Sequence, residues 1–258
     1  ETYDIFLSRG YLARCIDKIR ARLNVPAYSP EEKELKTVYR QILSDEDYLD
    51  SILSEVEEAK KVLRTEELFF QFPVYKKAYT TLKVAMKLVS YAHYPTRIDL
   101  ESLYMPGAPE ESLEGILHAT EDAISNPYLE LFRDQLIPRI NWEQYGLAGI
   151  SIIHVGQVIP GLTLARLLRQ QYANLHIVIG GSVFNRHAGV LHNKRILFER
   201  FFHSVVLYEG EHPLERLVSA LATGDPLSAG KSLREVPNLI HLENGVVTRN
   251  ESAKSLPY

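Results

Sequence analysis

Between Leu147 and His212 the chain alternates short apolar runs with longer amphipathic stretches, and this alternation constrains the fold more than any other feature. The runs are Leu147-Ala-Gly-Ile-Ser-Ile-Ile153, His176-Ile-Val-Ile-Gly-Gly181 and His203-Ser-Val-Val-Leu-Tyr208. Each is nearly all apolar and rich in β-branched residues, as parallel strands covered on both faces should be. Between the first two, Leu162, Leu164, Ala165, Leu167 and Leu168 make one broad helical stripe over 160–171. Arg166, Arg169 and Gln170 fall on the other side. This spacing predicts right-handed crossovers and an α/β fold, a doubly wound, mainly parallel sheet.

Each run leads into a turn carrying candidate site residues. Ser151, His154 and Gln157 follow the first strand, Gly180, Gly181 and Ser182 the second, and Glu209, Gly210 and Glu211 the third. In a doubly wound sheet these turns share the carboxyl edge, where such folds bind ligands. Glycines there let a large ligand approach the backbone. Bland readings stand beside each residue. Ser151 can bond its own turn, Gly180-Gly181 can be a plain strand-to-helix turn, and Ser182 can cap the next helix. Glu209 and Glu211 can hold their loop through backbone N–H groups.

The ordered set of Gly149-Ile-Ser151 with Gln157, Leu164-Ala-Arg-Leu-Leu168, Val178-Ile-Gly-Gly181 and Glu209-Gly-Glu211 resembles a known family. It is the cobalamin (vitamin B12)-binding domain at the front of B12-dependent radical SAM enzymes, and the resemblance covers Tyr75 to Tyr258. It implies a Rossmann- or flavodoxin-like fold holding cobalamin, with Gln157 the leading polar candidate for the cofactor face. It also implies a radical SAM partner domain that would carry S-adenosylmethionine and a [4Fe–4S] cluster. The implied reaction is methyl transfer to a peptide or natural product, with this chain inactive alone. A stand-alone cobalamin carrier or sensor would share the same loops. One class of B12 domains uses Asp-x-His-x-x-Gly after the first strand to ligate cobalt. His154 resembles instead the loop after the third strand, with Ile152 and Gln157 where Asp and Gly would stand. Axial ligation, a contact at the cofactor's edge and plain loop packing all remain readings of His154.

Composition excludes more than it selects. With 258 residues, 45% hydrophobic and 24% charged, the chain has ordinary globular proportions and room for an ample core. A net charge of −4 and the lack of a Lys/Arg-rich run argue against nucleic acid. The absence of a long apolar run or a signal-peptide pattern predicts a cytoplasmic protein off the membrane. The single cysteine, Cys15, cannot supply three thiolates to an iron–sulfur cluster, so it is expected to pack as a small hydrophobe. His-Glu-x-x-His, Cys-x-x-Cys, Gly-x-Ser-x-Gly and phosphate-cradling glycine motifs are absent, leaving no catalytic residue and no protein metal ligand to nominate. A flavodoxin-like signalling domain should place acidic residues where Ile153, Gly181 and Tyr208 stand.

Along the chain, 1–72 is expected to be a helical amino region, 73–235 the B12-binding-like domain, and 236–258 a hairpin linker toward a missing radical SAM domain. Tyr3–Leu7 reads as a strand remnant. Helices are predicted from Tyr11, after Ser29-Pro-Glu-Glu32, after Ser44-Asp-Glu-Asp47 and from Pro73. Arg97–Leu100 reads as the sheet's second strand, followed by a carboxyl-edge loop at 104–109. Glu110–Ile124 reads as helix, as do one or two segments within 128–145 and Pro213–Leu221. Glu55, Glu57 and Glu58 read as a solvated helix face. Asn244-Gly245 predicts a type I′ hairpin within 239–249.

Overall fold

The computed structural model describes residues 2–106, 112–222 and 233–252. Helices α1 (Thr2–Phe6), α2 (Arg9–Leu23), α3 (Pro30–Ser44), α4 (Glu46–Val62), α5 (Glu66–Phe69) and α6 (Phe72–Ala92) come first. Strands β1 (Arg97–Ile98) and β2 (Leu103–Tyr104) and helices α7 (Leu113–Ala119) and α8 (Pro127–Leu131) follow. Next come β3 (Leu147–Ser151), α9 (Val158–Gln171), β4 (His176–Gly180), α10 (Ser182–Leu191) and α11 (Arg195–Arg200). The chain then forms β5 (Ser204–Val206), α12 (Glu211–Ala222), β6 (Leu239–Glu243) and β7 (Val246–Arg249). The described residues divide into two compact units, one within 2–106 and 122–131, the other within 112–121 and 132–252.

The first unit is helical. Ser29 and Glu32 cap α3 reciprocally, with Pro30 at its start, as the sequence predicts. For α4 the cap is Asp45, which accepts from the Tyr48 N–H at 3.0 Å, and not Ser44. A carboxylate one residue nearer the helix meets the free amide, and Ser44 donates instead to Gln41 O. Leu12, Ile16 and Ile19 of α2 are buried, as are Val56 of α4 and Ala85, Met86 and Val89 of α6. Cys15 lies among them, and burial pushes its thiol up to about 12, so it is an unreactive hydrophobe. Glu55, Glu57 and Glu58 pair with Lys77, Lys60 and Lys61 along the solvated side. Buried His93 lies within 3.1 Å of Ile124 O through Nδ1 and 3.3 Å of both Tyr11 Oη and Lys18 Nζ through Nε2.

Two expectations for this unit fail. Tyr3–Leu7 is not strand: α1 covers Thr2–Phe6, and Phe6 packs edge-on against Tyr11 and Tyr128. Arg97–Leu100 does not enter the main sheet, because β1 pairs antiparallel with β2 in a separate hairpin. The Ser90 hydroxyl holds Ile98 by both N–H and C=O, tying β1 to α6. The loop expected at 104–109 therefore follows this hairpin, and its residues from Gly107 lie outside the described ones.

The second unit holds a five-stranded, mostly parallel sheet in the order β3-β4-β5-β6-β7. β3, β4 and β5 run parallel, and β6 and β7 join antiparallel as a hairpin. Asn244 and Gly245 both have positive φ, as the type I′ prediction requires. The hairpin forms one edge of the sheet. A doubly wound sheet reverses its strand order once, and among the described residues this one does not. The segments expected to lie beyond β3 have other roles, so β3 is an edge strand.

Ile150, Ile179, Val205 and Ile240 share one face through the strand register, covered by α9, whose Gly161 touches Ile150 and Ile152. On the other face Val178, Val206 and Leu239 pack against Leu217 and Ala220 of α12. At the amino ends of the strands three histidines gather, His241 buried and His176 and His203 half-buried. His176 and His203 stack with ring centroids 4.9 Å apart, and His176 Nε2 lies 2.8 Å from Ser204 Oγ. His241 pairs in register with Ser204, and neither of its ring nitrogens has a hydrogen-bond partner.

Expected helices are trimmed by their neighbours. Of the helix expected over Glu110–Ile124, the described residues are helical only over α7, with Thr120 turning back on Ile116, and 128–145 breaks into α8 and short π and 3₁₀ turns. Leu113 and Ile116 lie against α9, α10 and α11 around an apolar cavity of about 120 Å³.

Burial, with a contribution from cationic neighbours, lowers His93 and His176 from 6.5 to about 4 and His203 to about 3. Burial also lowers His241. The unfolded chain therefore takes up these protons first. Stability should be intact above pH 6.5 and fall as pH drops toward 4, by a few kcal/mol in urea titrations. Replacing the unpartnered imidazole, His241→Leu, should raise stability at pH 7 by about 1 kcal/mol and lessen that acid loss. Equal urea midpoints at pH 7 and pH 4.5 would contradict this account.

Candidate functional site

The carboxyl ends of β3, β4 and β5 are joined by hydrogen bonds between their loops. The Ile152 N–H donates to Gly180 O at 2.8 Å, and Ile152 O accepts from the Val183 N–H at 3.3 Å. Ser182 Oγ donates to Ile153 O at 2.8 Å. The third loop is tied in by Asn185, whose Oδ1 accepts from the Tyr208 N–H at 2.9 Å. Gly181 lies where these loops cross, with φ +107°. A Cβ there would stand 2.3 Å from Ile152 O, so only glycine fits.

This stitching decides what the nominated residues do. Gln157 Oε1 accepts from the Ile153 and His154 N–H groups at 2.9 and 3.2 Å. His154 Nδ1 accepts from the Gly156 N–H at 3.1 Å. Together they cap a 3₁₀ turn leading into α9. Ser182 is a loop tie. Glu211 opens the first turn of α12, where a carboxylate suits the helix dipole, and Glu209 is exposed beside it.

Ser151, Gly180, Gly181 and Gly210 are brought together in one groove of about 420 Å³, with Gly149, Val178, Val206, Tyr208 and Leu214. It lies on the face that α12 covers, between the strand ends and Leu214 in the first turns of that helix. Gly149 and Ser151 on edge strand β3 are exposed there. The strand glycines leave real space. A Cβ on Gly149 would come no nearer than 3.8 Å to Val178, and one on Gly180 no nearer than 3.7 Å to Val206 O. No carboxylate lines the groove.

Tyr208 and Asn185 were missed by reading the sequence. Tyr208 is a non-glycine residue with φ +61°, held by the Asn185 side chain, and it walls the groove. Nothing in a Leu-Tyr-Glu-Gly phrase announces positive φ at tyrosine, although its place after an apolar run marks it as a strand end. The stacked histidines had a visible signal, since His176 and His203 each open an apolar run.

Gly181→Ala should destabilise the chain by about 2 kcal/mol or more, from the positive φ and the contact with Ile152 O. Gly149→Ala should stay within about 1 kcal/mol, and Gln157→Ala should cost about 1 kcal/mol as a lost cap. Urea denaturation of the three variants checks the order, and a neutral Gly181→Ala would refute the crossing described here.

Among the described residues no group of three or more His, Cys, Asp or Glu side chains is placed to hold a metal ion, and no helix is long and apolar enough to cross a membrane. A scan against known protein families finds none that matches, and no curated protein matches the chain.

Proposed function

We propose that this chain binds cobalamin as the cofactor-holding portion of a B12-dependent radical SAM enzyme, a methyltransferase acting on a peptide or natural product. The observation that carries the reading is the glycine-floored groove at the carboxyl edge, beside the start of α12. Its exposed backbone and its lack of carboxylates suit part of a large ligand with a flat, uncharged end and an anionic link. Gly149, Gly180 and Ser151 would form the floor, and Gly210, Tyr208 and Leu214 the wall.

Cobalamin, when bound, supplies the one-carbon transfer chemistry. The residues of this chain bind and orient it and keep water from one face. His154 spends Nδ1 on its own turn, which favours a role in shaping the loop over one as a cobalt ligand. Radical generation belongs to a partner domain with cysteines for a cluster. A carrier or sensor without catalysis is the second reading, since the same groove would serve it.

Hydroxocobalamin added to the purified chain should shift its visible spectrum and stay bound through gel filtration. Gly149→Leu, which fills the floor where there is room for a side chain, should remain folded and weaken binding by about tenfold or more. Undiminished binding by folded Gly149→Leu would place the cofactor elsewhere.

A further inference from the structure

We infer that Tyr208 and Arg249 form an anion-recognition arm at the groove, built to take the phosphodiester of the cofactor's nucleotide tail. The inference rests on the cobalamin reading and assigns one subsite within it.

Tyr208 is held in the left-handed region, an arrangement that costs a β-strand end about 1 kcal/mol or more and persists only where surroundings impose it. Here the Asn185 side chain imposes it from α10, setting the ring as a wall of the groove. The Tyr208 hydroxyl accepts a hydrogen bond from Arg249 Nη2 at 3.0 Å. With that acceptor role filled, its own proton is left to donate.

Arg249 closes the sheet's last strand and is exposed, and no carboxylate pairs with it among the described residues. Arg234 and Arg195 are each matched, with Glu243 and Glu199 at 2.6 Å. A guanidinium bonded to a hydroxyl at the rim of a groove without a lining carboxylate selects an anionic oxygen-rich group, and guanidinium is well suited to phosphate. In cobalamin the phosphodiester of the nucleotide tail is the one anionic group, and cobinamide lacks it.

The test compares cobalamin with cobinamide on the full chain, by equilibrium dialysis against the parent, Arg249→Gln and Tyr208→Phe. Arg249→Gln should weaken cobalamin about tenfold and leave cobinamide unchanged, with a smaller loss of the same selectivity in Tyr208→Phe. Circular dichroism shows whether each variant is folded, and Arg249→Lys, which keeps the charge, should recover part of the loss. If Arg249→Gln binds cobalamin as the parent does, or weakens both corrinoids equally, the arm is refuted while the cobalamin reading stands. If the parent chain binds neither corrinoid, the cobalamin reading itself falls and takes this subsite with it.

Discussion

The carboxyl edge of the sheet depends on one close approach, the Ile152 carbonyl oxygen resting where a side chain on residue 181 would begin. That approach lets Ile152 bond β4 through its N–H and α10 through its carbonyl. Ser182, one residue on, then reaches Ile153 O. From there the order propagates. The Ile153 amide is free to meet Gln157, and α10 is set so that Asn185 can hold the third loop. A methyl group at 181 would disturb all three loops together, so this glycine acts on the site without having to touch a ligand.

The groove itself follows from topology. When successive parallel strands are laid down in one direction, right-handed crossovers put their helices on the same side. Here α9, α10 and α11 meet around one apolar cavity, consistent with a shared side. Among the described residues the opposite face packs against α12, whose Leu217 and Ala220 reach Val178, Val206 and Leu239, and against Val236. Beyond that contact the face would expose side chains, and the sequence supplies Gly149, Ser151 and Gly180 instead. A bare stretch floored by glycine follows from winding to one side only.

The β-α-β-α-β core and the closing hairpin were legible because periodicity and turn chemistry are local: an apolar run, an amphipathic stretch and Asn244-Gly245 each carry their own signal. Strand order was not. It depends on whether Arg97–Leu100 pairs with β3 or with the residues just after it, a choice made by Ser90 and the β2 partner. The site was legible as a set of loops and only partly as a set of roles. Gln157, His154 and Ser182 look like ligand contacts by position, but nearby backbone amides and carbonyls claim their polar atoms first. Tyr208 was legible as a strand end but not in its conformation, which is fixed by Asn185, far away in sequence.

The sequential strand order also bears on how this sheet assembles. Every strand pairs with its neighbour along the chain, so no later segment has to be inserted between two strands that have already met. Loop closures between successive partners stay short, which keeps contact order low for a largely parallel sheet and favours fast, stepwise growth from β3 toward β7. The histidines near the start of that growth would be sealed in as β6 arrives. The sheet's completion, and not its nucleation, is thus the step that expels water from Ser204 and His241.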